Sequence, residues 1–476
     1  MEAIGVPKCR RERRRPRRAI APLLSLLHSP SGDEEALEHV SELLPSSAPF
    51  VAAEVVAAGE PVLVHDAWPP AIGWSWAEVR RRLHNVTLDG VVLTTSRRYM
   101  PGDAKAALQP LLAPVSNRHR THNLSAELVL DALEYSSPHH SEDRAARRAA
   151  ATVAGSRQPL DGQRLVWFDV VPAPLRPMLQ AASSQLYATD WDAKQGLQYA
   201  WLSSPGMRTH THFDNDRNFF VQLLGTKRFV VWPPNETESL CPFPRLHPLW
   251  HKSRADFEAP DAFRASSPCA NYTRAAARAF TIRPGDVLYL PPFWWHTVET
   301  LGTPSLSLST LSRWPQLYNH MNALYTHEFF HDLLHHHDAR VFGLRAFVAQ
   351  IVRKAQQPNL LDNLIRRYDG FEHAAARDDA RSWACALDAR GTPTCRWCLS
   401  RVNFDVTLAW DEHLTKLPAD VRAVVLPELI EELTADLLGP AGVLAFWRDC
   451  FGPRSPPFFL TARAGAEHER LWRTRG

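Results

Sequence analysis

The chain has 476 residues, 45% of them hydrophobic and 22% charged, with a net charge of +3. That is globular composition with ample core-forming capacity, and the length suggests two or three domains. So small a net charge excludes a global acidic or basic surface as the choice of partner, and no run approaches the roughly 18 to 20 apolar residues of a membrane-spanning helix.

The first segment, residues 1–29, opens on the arginine-rich run CRRERRRPRR, followed by the apolar AIAPLLSLL from Ala19 to Leu27. A like-charge block repels itself and is expected to be disordered. Basic followed by apolar is also the outline of a targeting segment, although Pro22 interrupts it and no small-x-small cleavage site follows. Sequons begin at Asn85, Asn123, Asn235 and Asn271. They incline the reading toward a secretory lumen or an organelle, with the cytoplasm or nucleus as the alternative.

Residues 30–164 read as a mixed α/β part. PSGDEEALEHVSELL, Pro30 to Leu44, has acidic residues at its start and reads as a helix. EPVLVHDAW is a strand ended by Pro69 and Pro70. GWSWAEVRRRL is an amphipathic helix with Ser75 as its N-cap. NVTLDGVVLTTS reads as two strands around Asp89-Gly90. Residues 102–158, rich in Ala, Arg, His and Ser, read as a helical and loop insertion.

From residue 165 to 316 the texture is β. LVWFDVV, LQYAWLS, NFFVQLL, KRFVVW, RAFTIR, DVLYL and SLSLSTL are separated by short turns, the mark of an all-β sandwich or barrel. Residues 317–476 turn helical, as in LYNHMNALYTHEFFHDLL and LPELIEELTADLLG. Within them His327, His331 and His335 recur every fourth residue and share one helix face, which reads as a polar stripe more readily than as a chelate. Seven cysteines include Cys385, Cys395, Cys398 and Cys450, which are numerous enough for disulfides in an oxidising lumen or for a zinc site.

The chemistry concentrates in the β region. On a strand, residues two apart share a face, so His212 and Asp214 aim together and Phe213 points away. Two ligands do not close a coordination sphere. Downstream, RPGDVLYLPPFWWHTVE places His296 just after a strand stopped by Pro291-Pro292. Two imidazoles and a carboxylate are the donor set of non-haem Fe(II) oxygenases. Trp294 and Trp295 precede His296, and alternation places one in the core and the other at the mouth of the cavity.

On HTHFDNDRNFFVQLLGTKRFVVWPP and GDVLYLPPFWWH the chain resembles the JmjC and cupin-like 2-oxoglutarate oxygenases. The resemblance is closest to the asparaginyl hydroxylase branch typified by factor inhibiting HIF. It is strong from Thr209 to Glu299 and looser back to about residue 50. It implies a mainly β double-stranded β-helix, a jelly roll, with a mixed α/β N-terminal part and a helical C-terminal region. It implies Fe(II) on His212, Asp214 and His296, with 2-oxoglutarate and O2 as co-substrates. It matches Lys227, set across a Gly225-Thr226 turn, to the lysine that pairs with the far carboxylate of 2-oxoglutarate. Thr209 matches a hydroxyl sharing that carboxylate, and Asn218 a polar group near the keto-acid end.

Departures accompany the resemblance. The family's carboxylate-binding tyrosine falls in LVWFDVV, which offers Trp167 and Phe168. Substrate-reading positions hold Asp216, His251 and Lys252, and the asparagine beyond the distal histidine is replaced by Ser309, Leu311 or Ser312. The function implied is a dioxygenase that hydroxylates a protein or peptide side chain and releases succinate and CO2. The alternatives are an N-methyl-lysine demethylase, an RNA-modifying oxygenase or a non-catalytic binding scaffold. Helices after the barrel form a dimer interface in the resembling hydroxylase, which implies a homodimer.

Overall fold

The computed structural model describes residues 59–68, 74–94, 96–99, 121–135, 164–177, 197–255, 276–312, 319–320, 337–355, 357, 359–369, 413 and 415–452. The strands in chain order are β1 (Val62–Val64), β2 (Thr87–Thr94), β3 (Arg98–Tyr99), β4 (Thr121–Ser125), β5 (Arg164–Val170) and β6 (Leu197–Ser203). Then come β7 (Arg208–Thr209), β8 (Arg217–Trp232), β9 (Arg278–Ile282), β10 (Val287–Leu290) and β11 (Trp295–Ser312). Helices α1 (Trp76–Arg82) and α2 (Ala126–Tyr135) lie in the first half. Helices α3 (His337–Ala355), α4 (Leu360–Arg367), α5 (Ala419–Leu438) and α6 (Val443–Phe451) follow the last strand. The chain is thus mainly β in the middle, mixed before it and helical after it.

The strands hydrogen-bond in the order β1-β10-β8-β11-β6-β5-β2-β4, with β9 on β8, β7 on β11 and β3 on β7. Every pairing is antiparallel except β3 with β7. This is jelly-roll architecture, and two long strands organise it. β8 and β11 pair along their whole length, with a register irregularity between Leu301 and Leu306. One half of β8 also pairs with β10, the other with β9.

The expected turn at Gly225-Thr226 is absent, and β8 runs straight through it. Gly225 has φ +74°, and a Cβ there would sit 2.3 Å from the Pro304 carbonyl oxygen. A residue without a side chain lets β8 bend against β11 instead of folding back. β2 is likewise one strand, with an irregularity between Leu88 and Val91 around Gly90 rather than a hairpin turn. Ser75 caps α1 as expected: its Oγ accepts from Glu78 N at 3.1 Å.

The largest apolar core joins the β region to the helices. Phe213, Trp232 and Trp295 pack with Phe342 of α3, Leu429 of α5 and Phe446 of α6. A polar seam runs beside it. Glu431, fully buried on α5, accepts from Tyr368 Oη at 2.6 Å and from Leu246 N at 2.9 Å. Arg367 donates to Glu238, and Arg254 donates to the carbonyls of Arg367 (3.1 Å) and Asp369 (2.8 Å).

Cys241 and Cys450 are each disulfide-bonded, which removes Cys450 from any zinc site. Cys385, Cys395, Cys398, the histidine stripe, residues 1–29 and the helix expected from Pro30 to Leu44 lie outside the described residues. So do the apolar positions near the histidine stripe, Leu324, Phe330 and Leu334, expected to pack on the barrel or on a second subunit.

Candidate metal centre

His212 and Asp214 do not lie on a regular strand. They sit in the irregular stretch between β7 and β8, where His212 forms isolated bridges to both His296 and Lys252. The two histidine backbones exchange both hydrogen bonds, His212 N to His296 O at 3.0 Å and His296 N to His212 O at 2.7 Å. Phe293 N donates to Asp214 O at 2.8 Å, tying the acid to the turn before β11. The expected common aim of His212 and Asp214 is therefore met through these long-range bonds, not through strand pleat.

The side chains converge. One ligand atom from each of His212, Asp214 and His296 lies within 4.8 Å of the others. The two rings are 4.3 Å apart, and His296 Nε2 is 3.8 Å from Asp214 Oδ2. Each histidine Nδ1 faces a backbone carbonyl, that of His210 at 2.7 Å and that of Trp294 at 3.0 Å. An Nδ1–H held this way fixes the tautomer and leaves Nε2 with its lone pair for a metal. Burial, then the neighbouring His296, hold His212 well below the usual imidazole range, in the neutral state that a ligand requires. Two imidazoles and one carboxylate on one side of an ion suit Fe(II) with open positions.

The triad opens on a cavity of about 230 Å³. Lys227, Thr209 and Asn218 all line it, so the site residues expected from the sequence come together. Lys227 is 4% exposed, and its ammonium lies 5.1 Å from the Phe220 ring and 5.8 Å from that of Trp201. No carboxylate pairs with it among the described residues, and burial pulls its pKa down to about 7. A buried cation without a counter-ion, facing a cavity, is a seat for an anion. Thr209 Oγ1 accepts from Val298 N at 2.9 Å and keeps its proton to donate. Asn218 Oδ1 is buried without a hydrogen-bond partner, and its Nδ2 donates to Ser309 Oγ at 3.5 Å. Donor set and cation fit a metal with a dicarboxylic keto acid.

The family's tyrosine has no counterpart among the described lining residues; Phe168 and Trp201 occupy that wall. Trp167 turns to the opposite face, its Nε1 donating to Asp89 O at 3.0 Å. Trp294 and Trp295 do alternate, into two different cores, but neither reaches the cavity mouth expected for one of them, because both are buried. Trp295 Nε1 instead donates to Thr237 Oγ1 at 2.9 Å, satisfied by the 3-10 turn after β8. His251 and Lys252 do line the cavity, with Lys252 Nζ 2.9 Å from His251 Nε2. His251 holds φ at +34°, a strained value for a residue with a side chain, of the kind kept where a site imposes it.

Some of the lining was not singled out from the sequence. Ser203 and Thr300 face the cavity. Counting in twos from His296 along β11 reaches Thr300, so the period of a strand carried that signal.

A family model described as "Cupin-like domain" matches residues 47–314, more than half of the chain. The chain is 32% identical over 115 residues to lysine-specific demethylase 8 of Xenopus tropicalis, covering 24% of each protein. It is 31% identical over 114 residues to human HSPB1-associated protein 1, covering 23% of this chain and 22% of that one. The alignments thus span about a quarter or less of these curated relatives. Among solved structures, a ribosomal oxygenase of Escherichia coli in complex with cobalt and 2-oxoglutarate aligns over 57% of this chain and 55% of that one. Its identity is 13% and its TM-score 0.28. The chain belongs to the cupin-like domain family.

Proposed function

We propose that this cupin-like chain is an Fe(II)- and 2-oxoglutarate-dependent oxygenase that hydroxylates a side chain of a protein or peptide. The observation that carries the reading is Lys227. A buried ammonium that no carboxylate pairs with among the described residues shares one cavity with a His-Asp-His triad. A dicarboxylic co-substrate needs both, an open metal for one end and a fixed cation for the other.

His212, Asp214 and His296 would hold the iron, and Lys227, Thr209 and Asn218 the co-substrate. When bound, iron and 2-oxoglutarate supply the oxidising chemistry, in which O2 and the keto acid give succinate, CO2 and a hydroxylated C–H. The chain's own work is positional. The backbone bridge fixes the spacing of the histidines, and the carbonyls of His210 and Trp294 fix their tautomers. The apolar wall of Phe168, Trp201 and Phe220 keeps water from the ammonium and strengthens its grip on an anion.

The hydroxylase branch typified by factor inhibiting HIF remains the nearest reading by motif. Its substrate-reading positions are Asp216, His251 and Lys252 here, which supports a different peptide. An N-methyl-lysine demethylase would use the same iron site and release formaldehyde.

The test is turnover of 2-oxoglutarate to succinate by the purified chain with Fe(II) and ascorbate, beside His212→Ala and Lys227→Ala. Succinate that vanishes in both variants is the expected result. No succinate, together with no rise in melting temperature on adding metal and 2-oxoglutarate, would turn the reading to a binding scaffold. Formaldehyde from a methylated peptide would select the demethylase.

We also infer an oxidising compartment. Cys241 and Cys450 are disulfide-bonded, and such bonds persist where thiols are not kept reduced. The sequon asparagines Asn85, Asn123 and Asn235 are all exposed. Expression in a secreting eukaryotic cell should yield chains whose mass drops on glycosidase treatment. Unmodified chains with free thiols would place the protein in the cytoplasm or nucleus instead.

A further inference from the structure

Lys227 has neighbours that the function above does not use. It lies opposite Thr300 in the β8–β11 register. His296, Val298 and Thr300 alternate along β11 and all face the cavity. Thr300 Oγ1 lies 2.7 Å from Ser203 Oγ on β6, and Ser203 Oγ lies 3.1 Å from Ser305 Oγ. All three residues are buried: Thr300 is 3% exposed, Ser203 4% and Ser305 0%. Thr300 and Ser203 line the cavity with Lys227, whereas Ser305 does not.

Each hydroxyl carries one proton and can accept more than one hydrogen bond. Two bonds join the three hydroxyls and consume two protons, so one proton is left over. Ser305 is sealed from the cavity, and Ser203 is its partner among the described residues, so a free Ser305 proton would go unbonded. The leftover proton therefore belongs to Ser203 or Thr300, both of which line the cavity. Where Ser203 donates to Thr300, the run is Ser305 to Ser203 to Thr300, each bond polarises the next, and the Thr300 proton is the one left for the cavity.

The carboxylate expected at Lys227 has more acceptor positions than one ammonium fills. The wall where the family keeps a tyrosine carries Phe168 and Trp201, and the Trp201 Nε1 is already bonded to Ser309 Oγ at 3.1 Å. We propose that Thr300, polarised by Ser203 and Ser305, donates a hydrogen bond to the carboxylate that Lys227 holds, in place of the missing aromatic hydroxyl. Thr300 is then a co-substrate-binding residue and Ser203 and Ser305 are positioning residues. The inference rests on the reading of this cavity as a seat for 2-oxoglutarate.

The test is calorimetric titration of the full chain loaded with Mn(II). One ligand is 2-oxoglutarate; the other is 2-oxopentanoate, which keeps the keto-acid end and lacks the second carboxylate. Thr300→Val keeps the side-chain shape and removes the donor. It should weaken 2-oxoglutarate about tenfold and leave 2-oxopentanoate unchanged, the loss of one hydrogen bond to a charged group. Ser203→Ala, which leaves Thr300 unpolarised, should weaken only 2-oxoglutarate, and by less. Thr300→Ser retains the donor and should bind as the wild type does, and with Ser203→Ala it carries the test if Thr300→Val does not fold. Equal weakening of both acids, or none of either, overturns the inference. A wild-type chain that binds the two acids alike overturns the co-substrate seat itself, and the proposed function with it.

Discussion

His212 and His296 are joined backbone to backbone by a reciprocal pair of hydrogen bonds, 3.0 and 2.7 Å long, and this pair sets their rings 4.3 Å apart. The metal-facing geometry is thus held by the main chain. Neither the ring positions nor the tautomers depend on the Asp214 side chain, whose contribution is charge. Asp214 is 36% exposed, and its backbone carbonyl, not its carboxylate, is what bonds to Phe293 N.

Asp214→Ala should therefore remove metal binding and reduce succinate production to background while the chain stays folded, within about 0.5 kcal/mol of the wild type, as for a surface substitution. Chemical denaturation and a metal-dependent thermal shift, read side by side, check this. Wild-type succinate production by Asp214→Ala would remove the acid from the ligand set.

Lys227 makes co-substrate binding depend on pH. Burial lowers its pKa from 10.5 to about 7 in the free protein, and a bound carboxylate favours the charged form and raises it again. Binding then takes up a proton at any pH above about 7, so 2-oxoglutarate affinity should fall as pH rises, by up to tenfold per unit. Lys227→Arg, always protonated, should abolish the slope. The same depressed pKa makes the unfolded chain the better proton binder between about 7 and 10.5. This group's cost to the ligand-free fold is full below about 7 and is relieved as pH rises through that window. Affinity measured across pH 6 to about 9 checks the first claim; a flat profile would mean that Lys227 stays charged throughout.

Gly225→Ala should destabilise the chain by about 2 to 4 kcal/mol. The φ of +74° alone costs a residue with a Cβ about 1 to 2 kcal/mol. The 2.3 Å approach to the Pro304 carbonyl adds a clash with backbone, which yields poorly. The denaturation midpoint reads this, and an unchanged midpoint would mean that the close β8–β11 crossing relaxes freely.

Arg367→Met should cost about 1.5 to 3 kcal/mol, because it removes a charge-assisted hydrogen bond to the half-buried Glu238. Arg367 donates to Glu238 and lies near Glu428, whose pKa burial pushes up to about 8, and Glu431. These residues tie α4 and α5 to the loop that ends in His251 and Lys252. The variant should also raise the KM of the substrate more than that of 2-oxoglutarate. A variant as stable as the wild type would show the seam to be dispensable.

The sequence by itself determined the character of this protein. Strand-length apolar runs between turn residues dictated the β core, and the Ser75 cap was legible because its partner, Glu78, is three residues away. The identities of His212, Asp214 and His296 marked a candidate metal centre, since few residue types ligate a metal. Tertiary structure decided what depends on register. That Gly225 bends one strand rather than turning two is settled by Pro304, whose carbonyl it must admit. Trp294 and Trp295 take opposite faces as alternation predicts, but both are buried because Trp294 enters the core between the strands and Trp295 meets the helices. Ser203 and Thr300 meet across 97 residues of chain. No local pattern encodes such a meeting, because a shift of one residue in strand pairing would turn every side chain to the other face.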